Sequence, residues 1–130
     1  MRVIVNGTFD LLHRGHLELL NYAKSLGDQL LVAIDTDRRV KELKGPSRPV
    51  NNQDDRKFFL YNLRPVDIVM TFDSEQDLID IIKEYKPDIM VKGSDYKGQP
   101  IVGSQYCKDI VFYDRTEHST TKTIQDIISR

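Results

Sequence analysis

The sequence predicts an α/β fold: a five-stranded parallel sheet with helices on both faces. Short runs that are apolar throughout recur along the chain, and each gives way to a stretch with helical spacing. Strands without polar alternation are buried on both sides, as parallel strands are when helices cover the sheet. A length of 130 residues suits one domain with a real core. Five such strands make a single Rossmann-like unit over residues 1–130, with right-handed crossovers.

Residues 3–5 read as the first buried strand. Leu17, Leu19, Leu20, Ala23 and Leu26 then make a helical stripe, which Gly27 stops. Residues 30–34 are a second strand, and a short helix spans 37–43. Gly45, Pro46, Pro49 and two asparagines make residues 44–52 a loop. Helix resumes over 54–63, and 66–70 is a third strand. A helix over 75–85 ends at Pro87, and residues 89–91 form a fourth strand. Residues 110–113 are the fifth. Ile124, Ile127 and Ile128 place a helix over 121–128. No repeat, low-complexity tract or interdomain linker interrupts this order.

Composition narrows the function. The formal net charge is -1, from 19 basic and 20 acidic side chains. A nucleic-acid-binding domain would show a basic excess or stripe instead. A single cysteine, Cys107, excludes an intrachain disulfide framework and a multi-cysteine zinc site, and suits a reducing cytoplasm. No run approaches the ~20 apolar residues that span a bilayer. Residues 1–10 do not read as a signal peptide, because Asn6 and Asp10 interrupt the apolar run.

The polar clusters fall where such a fold binds ligands. In open parallel sheets that place lies beyond the carboxyl ends of the strands. Residues 6–16, 35–37, 92–96 and 115–121 all follow a strand. In the first cluster a strand runs into Gly7, then Asp10, then His13 and His16, and a helix follows at once. Histidines at i and i+3 share one side of a helical turn. Gly15 lets backbone or phosphate approach closely, and helix N-termini attract phosphate. A structural reading competes: His16 caps the helix and His13 bonds backbone. Asp10, His13 and His16 also form a small metal-ligating set, too few for zinc and not spaced as HExxH.

Gly7-Thr8-Phe9-Asp10-Leu11-Leu12-His13-Arg14-Gly15-His16 resembles GxFDxxHxGH, the signature of the cytidylyltransferase and adenylyltransferase superfamily. The resemblance implies that His13 and His16 hold the nucleotide phosphates and stabilise charge while the α-phosphate is attacked. It places Asp10 near the incoming phosphate and gives Gly7, Thr8 and Phe9 backbone contacts to the nucleotide. The nucleophile is a substrate phosphate, already an anion. Positioning and charge neutralisation then carry the step, and no protein nucleophile is needed.

Two middle segments select a branch. Leu43-Lys44-Gly45-Pro46-Ser47-Arg48-Pro49-Val50-Asn51 resembles the LKGxxRPVN of bacterial adenylyltransferases that act on a heptose 1-phosphate. It implies that Lys44 reaches a phosphate and takes part in catalysis, with Arg48 and Arg56 as further substrate-binding cations. Val91-Lys92-Gly93-Ser94-Asp95-Tyr96 resembles the VKGGDY of the same branch, with Ser94 in place of a glycine. It implies nucleotide contacts from Lys92, Gly93 and Asp95, and makes Asp95 a candidate magnesium ligand. An Asx-type turn is the plainer role for Asp95.

The tail points two ways. Ser119-Thr120-Thr121 resembles the superfamily's closing ISTT-like motif. Ser119 or Thr120 would cap the last helix and contact phosphate. Arg115-Thr116-Glu117 is similar to the RTEG of cytidylyltransferases, with His118 where a glycine would stand. Arg115 then joins the nucleotide-binding set.

The expected reaction is AMP transfer from ATP to a sugar 1-phosphate, D-glycero-β-D-manno-heptose 1-phosphate above others. Mg(2+) would neutralise the triphosphate. Transfer of CMP from CTP to glycerol 3-phosphate is the alternative, and a nucleotide-binding regulator without turnover is a third. The resemblance also implies a homodimer and a sugar kinase on a separate chain, while charge balance and the lack of a long apolar run argue against nucleic-acid and membrane partners.

Overall fold

The computed structural model describes residues 1–114. In chain order the elements are β1 (Arg2–Gly7), α1 (Arg14–Ser25), β2 (Gln29–Asp35), α2 (Asp37–Lys44), α3 (Gln53–Tyr61), β3 (Ile68–Phe72), α4 (Glu75–Tyr85), β4 (Ile89–Gly93) and β5 (Asp109–Tyr113). Two short 3₁₀ turns, Ser94–Tyr96 and Ser104–Tyr106, lie between β4 and β5. The helix expected over 121–128 falls outside the described residues.

The strands form one sheet in the order β3-β2-β1-β4-β5, and every pairing is parallel. This is the expected α/β, Rossmann-like architecture. Residues alternate between the two faces along each strand. Val3 and Val5 pack with Leu20 and Ala23 of α1 and Leu60 of α3. Ile4, Leu31 and Met90 pack on the other face with Leu78, Ile82 and Tyr85 of α4. The strands read as unbroken apolar runs because both faces are covered.

Register aligns the strand ends into one edge. The last pairs are Gly7↔Ile34, Asp35↔Phe72 and Gly93↔Tyr113. The chain steps from β1 to β2 and β3 on one side, then crosses to β4 and β5 on the other. That reversal opens a crevice over the end of β1.

Local chemistry sets the helix ends. Thr36, Asn52 and Ser74 each accept a backbone N–H from the first turn of α2, α3 and α4. Gly45 ends α2 at φ 102°, where a side chain would be strained. Pro87 follows the left-handed Lys86 that closes α4. One boundary differs from the sequence reading: β3 starts at Ile68, two residues later than the apolar run suggests. Val66 is buried but plugs the core ahead of the strand. Asp67 meanwhile bonds the Leu30 backbone through both its N–H and its carboxylate. No helix among the described residues is long and apolar enough to cross a membrane.

The turns after β2 and β3 are tied together. Arg38 donates to both Asp73 carboxylate oxygens, at 2.9 and 3.0 Å, and Thr36 donates to one of them. The Arg38 hydrogen bond, then that of Thr36, holds the Asp73 carboxyl below its usual range. A lowered native pKa contributes stability above the unfolded value of ~3.9 and loses it as pH falls through the native value. Asp73→Asn is therefore expected to lower the melting temperature at about pH 6, with the gap to wild type closing below about pH 4. A gap that stays constant across a pH series of melting curves would contradict this.

Candidate active site

A cleft of about 530 Å³ lies at this edge of the sheet. The first loop supplies Gly7, Thr8, Phe9, Asp10, His13 and His16 to its walls. Lys44 and Arg48 come from the middle loop, and Lys92 and Gly93 from the end of β4. Residues far apart in the chain thus meet in one place. Arg115, Ser119 and Thr120, with His118, lie outside the described residues.

The first loop is wound tightly. Phe9 and Leu11 sit in left-handed backbone, at φ 52° and 48°. Such geometry costs about 1–3 kcal/mol per non-glycine residue and persists only when its surroundings fix it. Asp10, between them, does much of the fixing. It is 1% exposed and accepts the N–H groups of Val50, at 2.6 Å, and Asn51, at 2.9 Å. Gly7 leaves room for the fold-back: a Cβ there would stand 3.0 Å from the Phe9 ring.

Arg56 supports the same loop from beneath. It is 1% exposed and donates to Thr8 O (2.9 Å), Asn51 O (3.0 Å) and the Asp37 carboxylate (2.8 Å). It does not line the cleft. Its guanidinium is turned inward and engaged by protein acceptors, so it positions the loop.

The two histidines close the start of α1. His13 is its N-cap: Nδ1 accepts the Gly15 N–H at 3.0 Å. His16 Nδ1 accepts the His13 N–H at 3.2 Å, completing a capping box. The structural reading thus holds with its two roles exchanged. It does not compete with a binding role. A neutral imidazole whose Nδ1 accepts carries its proton on Nε2, so each ring is a donor through that edge. The rings stack at 4.0 Å, and the Phe9 ring lies 5.4 Å from His16. α1 has no acidic residue in its first turn, whereas α2, α3 and α4 each have one or more. The positive end of the α1 dipole therefore faces the cleft without a fixed carboxylate to offset it.

The cations differ in setting. Lys44 ends α2 and is exposed at the cleft. The Arg48 side chain is 12% exposed, with Nε 3.9 Å from the Asp10 carboxylate. Its Nε and Nη2 are buried without a hydrogen bond among the described residues. Lys92 Nζ lies 4.8 Å from the centre of the Tyr96 ring. Asp95 sits in the 3₁₀ turn after β4, exposed and outside the cleft lining, while its neighbour Tyr96 takes the place at the wall. Among the described residues no three His, Cys, Asp or Glu side chains form a metal-holding group.

The cytidylyltransferase-like family model matches residues 4–126. The chain belongs to that family. It is 47% identical over 122 residues to the bifunctional protein HldE of Campylobacter fetus, covering 94% of this chain and 26% of that protein. To HldE of Sulfurimonas denitrificans it is 45% identical over 126 residues, again covering 26% of the relative. The chain thus spans about a quarter of the length of these curated relatives. A solved structure, the lipopolysaccharide core biosynthesis protein from Thermoplasma volcanium, superposes with a TM-score of 0.72 at 28% identity. That likeness covers 90% of this chain and 98% of the other.

A cytidylyltransferase-like chain is a nucleotidyltransferase, and the cleft has the parts such chemistry uses. A helix N-terminus, two imidazole donors and cations from two loops converge on one space. They can neutralise a triphosphate and a second phosphate together. The other arm of the cleft is built by Asp35, which the cluster over 35–37 had marked, with Arg39, Phe72 and Glu75, which sequence reading missed. Asp35 carried a signal, as the polar end of an apolar strand. Arg39 follows one helical turn later and looks like any surface cation. Ile101 and Val102 reach the cleft from the loop that Gly103 presses onto Ile82; a Cβ on Gly103 would stand 2.3 Å from that side chain.

Proposed function

We propose that this domain transfers AMP from ATP to a sugar 1-phosphate, with D-glycero-β-D-manno-heptose 1-phosphate as acceptor, forming ADP-heptose and pyrophosphate. One observation carries the reading. The two segments that resemble heptose-branch adenylyltransferases, residues 43–51 and 91–96, line the same cleft as the histidines. The likeness to HldE proteins over nearly the whole chain supports the same branch.

An oxygen of the acceptor phosphate attacks the α-phosphorus of ATP. The bond from that phosphorus to the bridging oxygen breaks, and pyrophosphate leaves with the electron pair. The attacking group is an anion, so no base is required. His13 and His16 donate through Nε2 to the phosphate oxygens where charge gathers. Lys44 and Arg48 hold the two anions at reacting distance. Gly7, Thr8 and Phe9 offer backbone to the nucleotide, and Gly93 lets its sugar approach β4, with Lys92 beside it. Asp10 keeps the first and middle loops in register. Magnesium supplies charge neutralisation as a counterion of the triphosphate; the described residues offer it no cluster of their own. The family resemblance supports a homodimer, and the single cysteine a cytoplasmic setting.

Lys44→Ala is expected to weaken binding of the phosphate-bearing ligands by about 1.5–3 kcal/mol, the worth of a charge-assisted hydrogen bond. Steady-state kinetics would show it as a raised KM. Unchanged KM and kcat for both substrates would make Lys44 a surface residue.

Arg115-Thr116-Glu117 favours a second reading, CMP transfer from CTP to glycerol 3-phosphate. Pyrophosphate release decides, measured with ATP or CTP against heptose 1-phosphate or glycerol 3-phosphate. The proposal requires release with ATP and heptose 1-phosphate. Release with CTP alone would overturn the substrates and keep the chemistry. Tight nucleotide binding without release in any pairing would favour a regulator.

A further inference from the structure

We infer that Asp35 and Arg39 determine acceptor specificity by reading neighbouring hydroxyl groups on the acceptor's carbohydrate body. The inference rests on the nucleotidyl-transfer reading and extends it to a part of the cleft with no role so far. Asp35 ends β2, paired with Phe72 at the last register position of the β2–β3 ladder. It is 7% exposed and lines the cleft. A carboxylate this buried needs hydrogen bonds. Its partner is Arg39, whose Nε lies 3.3 Å away. That contact is an ion pair without hydrogen-bond geometry: among the described residues, Arg39 Nε is buried without an acceptor, and Asp35 accepts no hydrogen bond.

The pair is nevertheless held in place. The Arg39 guanidinium lies 5.5 Å over the Phe72 ring, and Thr36 N–H donates to Phe72 O at 3.0 Å. A fixed pair with unused donors and acceptors beside a cleft is built to engage a ligand. Its polarity selects the class. A cationic headgroup at Asp35 would meet Arg39, and a second anion at Arg39 would meet Asp35. A hydroxyl both donates and accepts, so adjacent hydroxyls satisfy both partners. Phe72 and Leu78, each 3% exposed, form an apolar floor beneath this end of the cleft. Position agrees. The nucleotide takes the crevice where strand order reverses, between β1 and β4. The phosphates gather at α1, which leaves the β2–β3 side for the body of the acceptor.

The test compares wild type with Asp35→Asn, a change of the same size, and Arg39→Gln. Calorimetric titration of heptose 1-phosphate and of methyl phosphate, an acceptor anion with no hydroxyl to read, each with an ATP analogue blocked at the α,β bridge present, reads binding without turnover. Pyrophosphate release reads the acceptor KM and the ATP KM. Both variants are expected to weaken heptose 1-phosphate by at least about tenfold, the loss that follows when a hydrogen-bonding site is mismatched. Methyl phosphate binding and the ATP KM should change by less than about twofold, with melting curves that confirm folding. Equal loss for both acceptors, no loss for either, or a parallel rise in the ATP KM would overturn the inference. Wild type that binds heptose 1-phosphate and releases no pyrophosphate sinks nucleotidyl transfer and leaves the subsite to the titration. Wild type that binds neither acceptor overturns both.

Discussion

His16→Ala is expected to lower kcat about 10²–10³-fold, the loss seen when one preorganised donor to a developing charge is removed. Binding of ATP should suffer less than turnover, because the charge on the transferring phosphate grows towards the transition state. The same change removes the acceptor for the His13 N–H and half of the capping box. Loss of a cap costs about 1 kcal/mol, a few degrees in melting temperature for a domain of this size. The two effects separate cleanly when kcat and thermal unfolding are measured on the same preparation. Near-wild-type kcat in a folded variant would remove His16 from the chemistry.

Arg56→Ala is expected to act on the fold. It strips the hydrogen bonds from Thr8 O and Asn51 O and leaves Asp37 without its ion pair. Breaking a buried pair costs about 3–5 kcal/mol. The lower end applies here, since the Asp37 side chain is 32% exposed and partly solvated. Urea unfolding would measure the loss. Arg56→Lys should recover only part of it, because an ammonium cannot reproduce the planar fork that reaches three acceptors at once. Stability within about 1 kcal/mol of wild type, joined to a raised acceptor KM, would make Arg56 an anion-binding residue instead.

The contrast between these residues shows what the sequence made legible. The strands were visible because burial on both faces leaves no room for polar alternation, and two helix ends followed from Gly27 and Pro87. The histidine spacing and the glycine before it announced a ligand loop. Where a long side chain points was not legible. Lys44, Arg48 and Arg56 look alike along the chain, yet Lys44 is exposed, Arg48 is turned into the cleft and Arg56 is locked beneath it. A 3₁₀ turn swings successive side chains by about a third of a circle, which brings Tyr96 to the cleft wall beside Asp95. The left-handed Phe9 and Leu11 had no signal, since neither is a residue type that favours that backbone. The Asp35–Arg39 pair is local, at i and i+4, but the Phe72 ring that Arg39 lies over arrives only through the β2–β3 register, which no local pattern encodes.

The central claim is that one cleft holds a nucleotide and a phosphate acceptor together for direct displacement at the α-phosphorus. The fate of a radiolabel on that phosphorus tests it most directly. With labelled ATP and no acceptor, the protein should stay unlabelled and release no pyrophosphate. On adding heptose 1-phosphate, label should pass into a sugar nucleotide with one pyrophosphate for each product formed. Label retained on the protein, or pyrophosphate released before the acceptor is added, would contradict it.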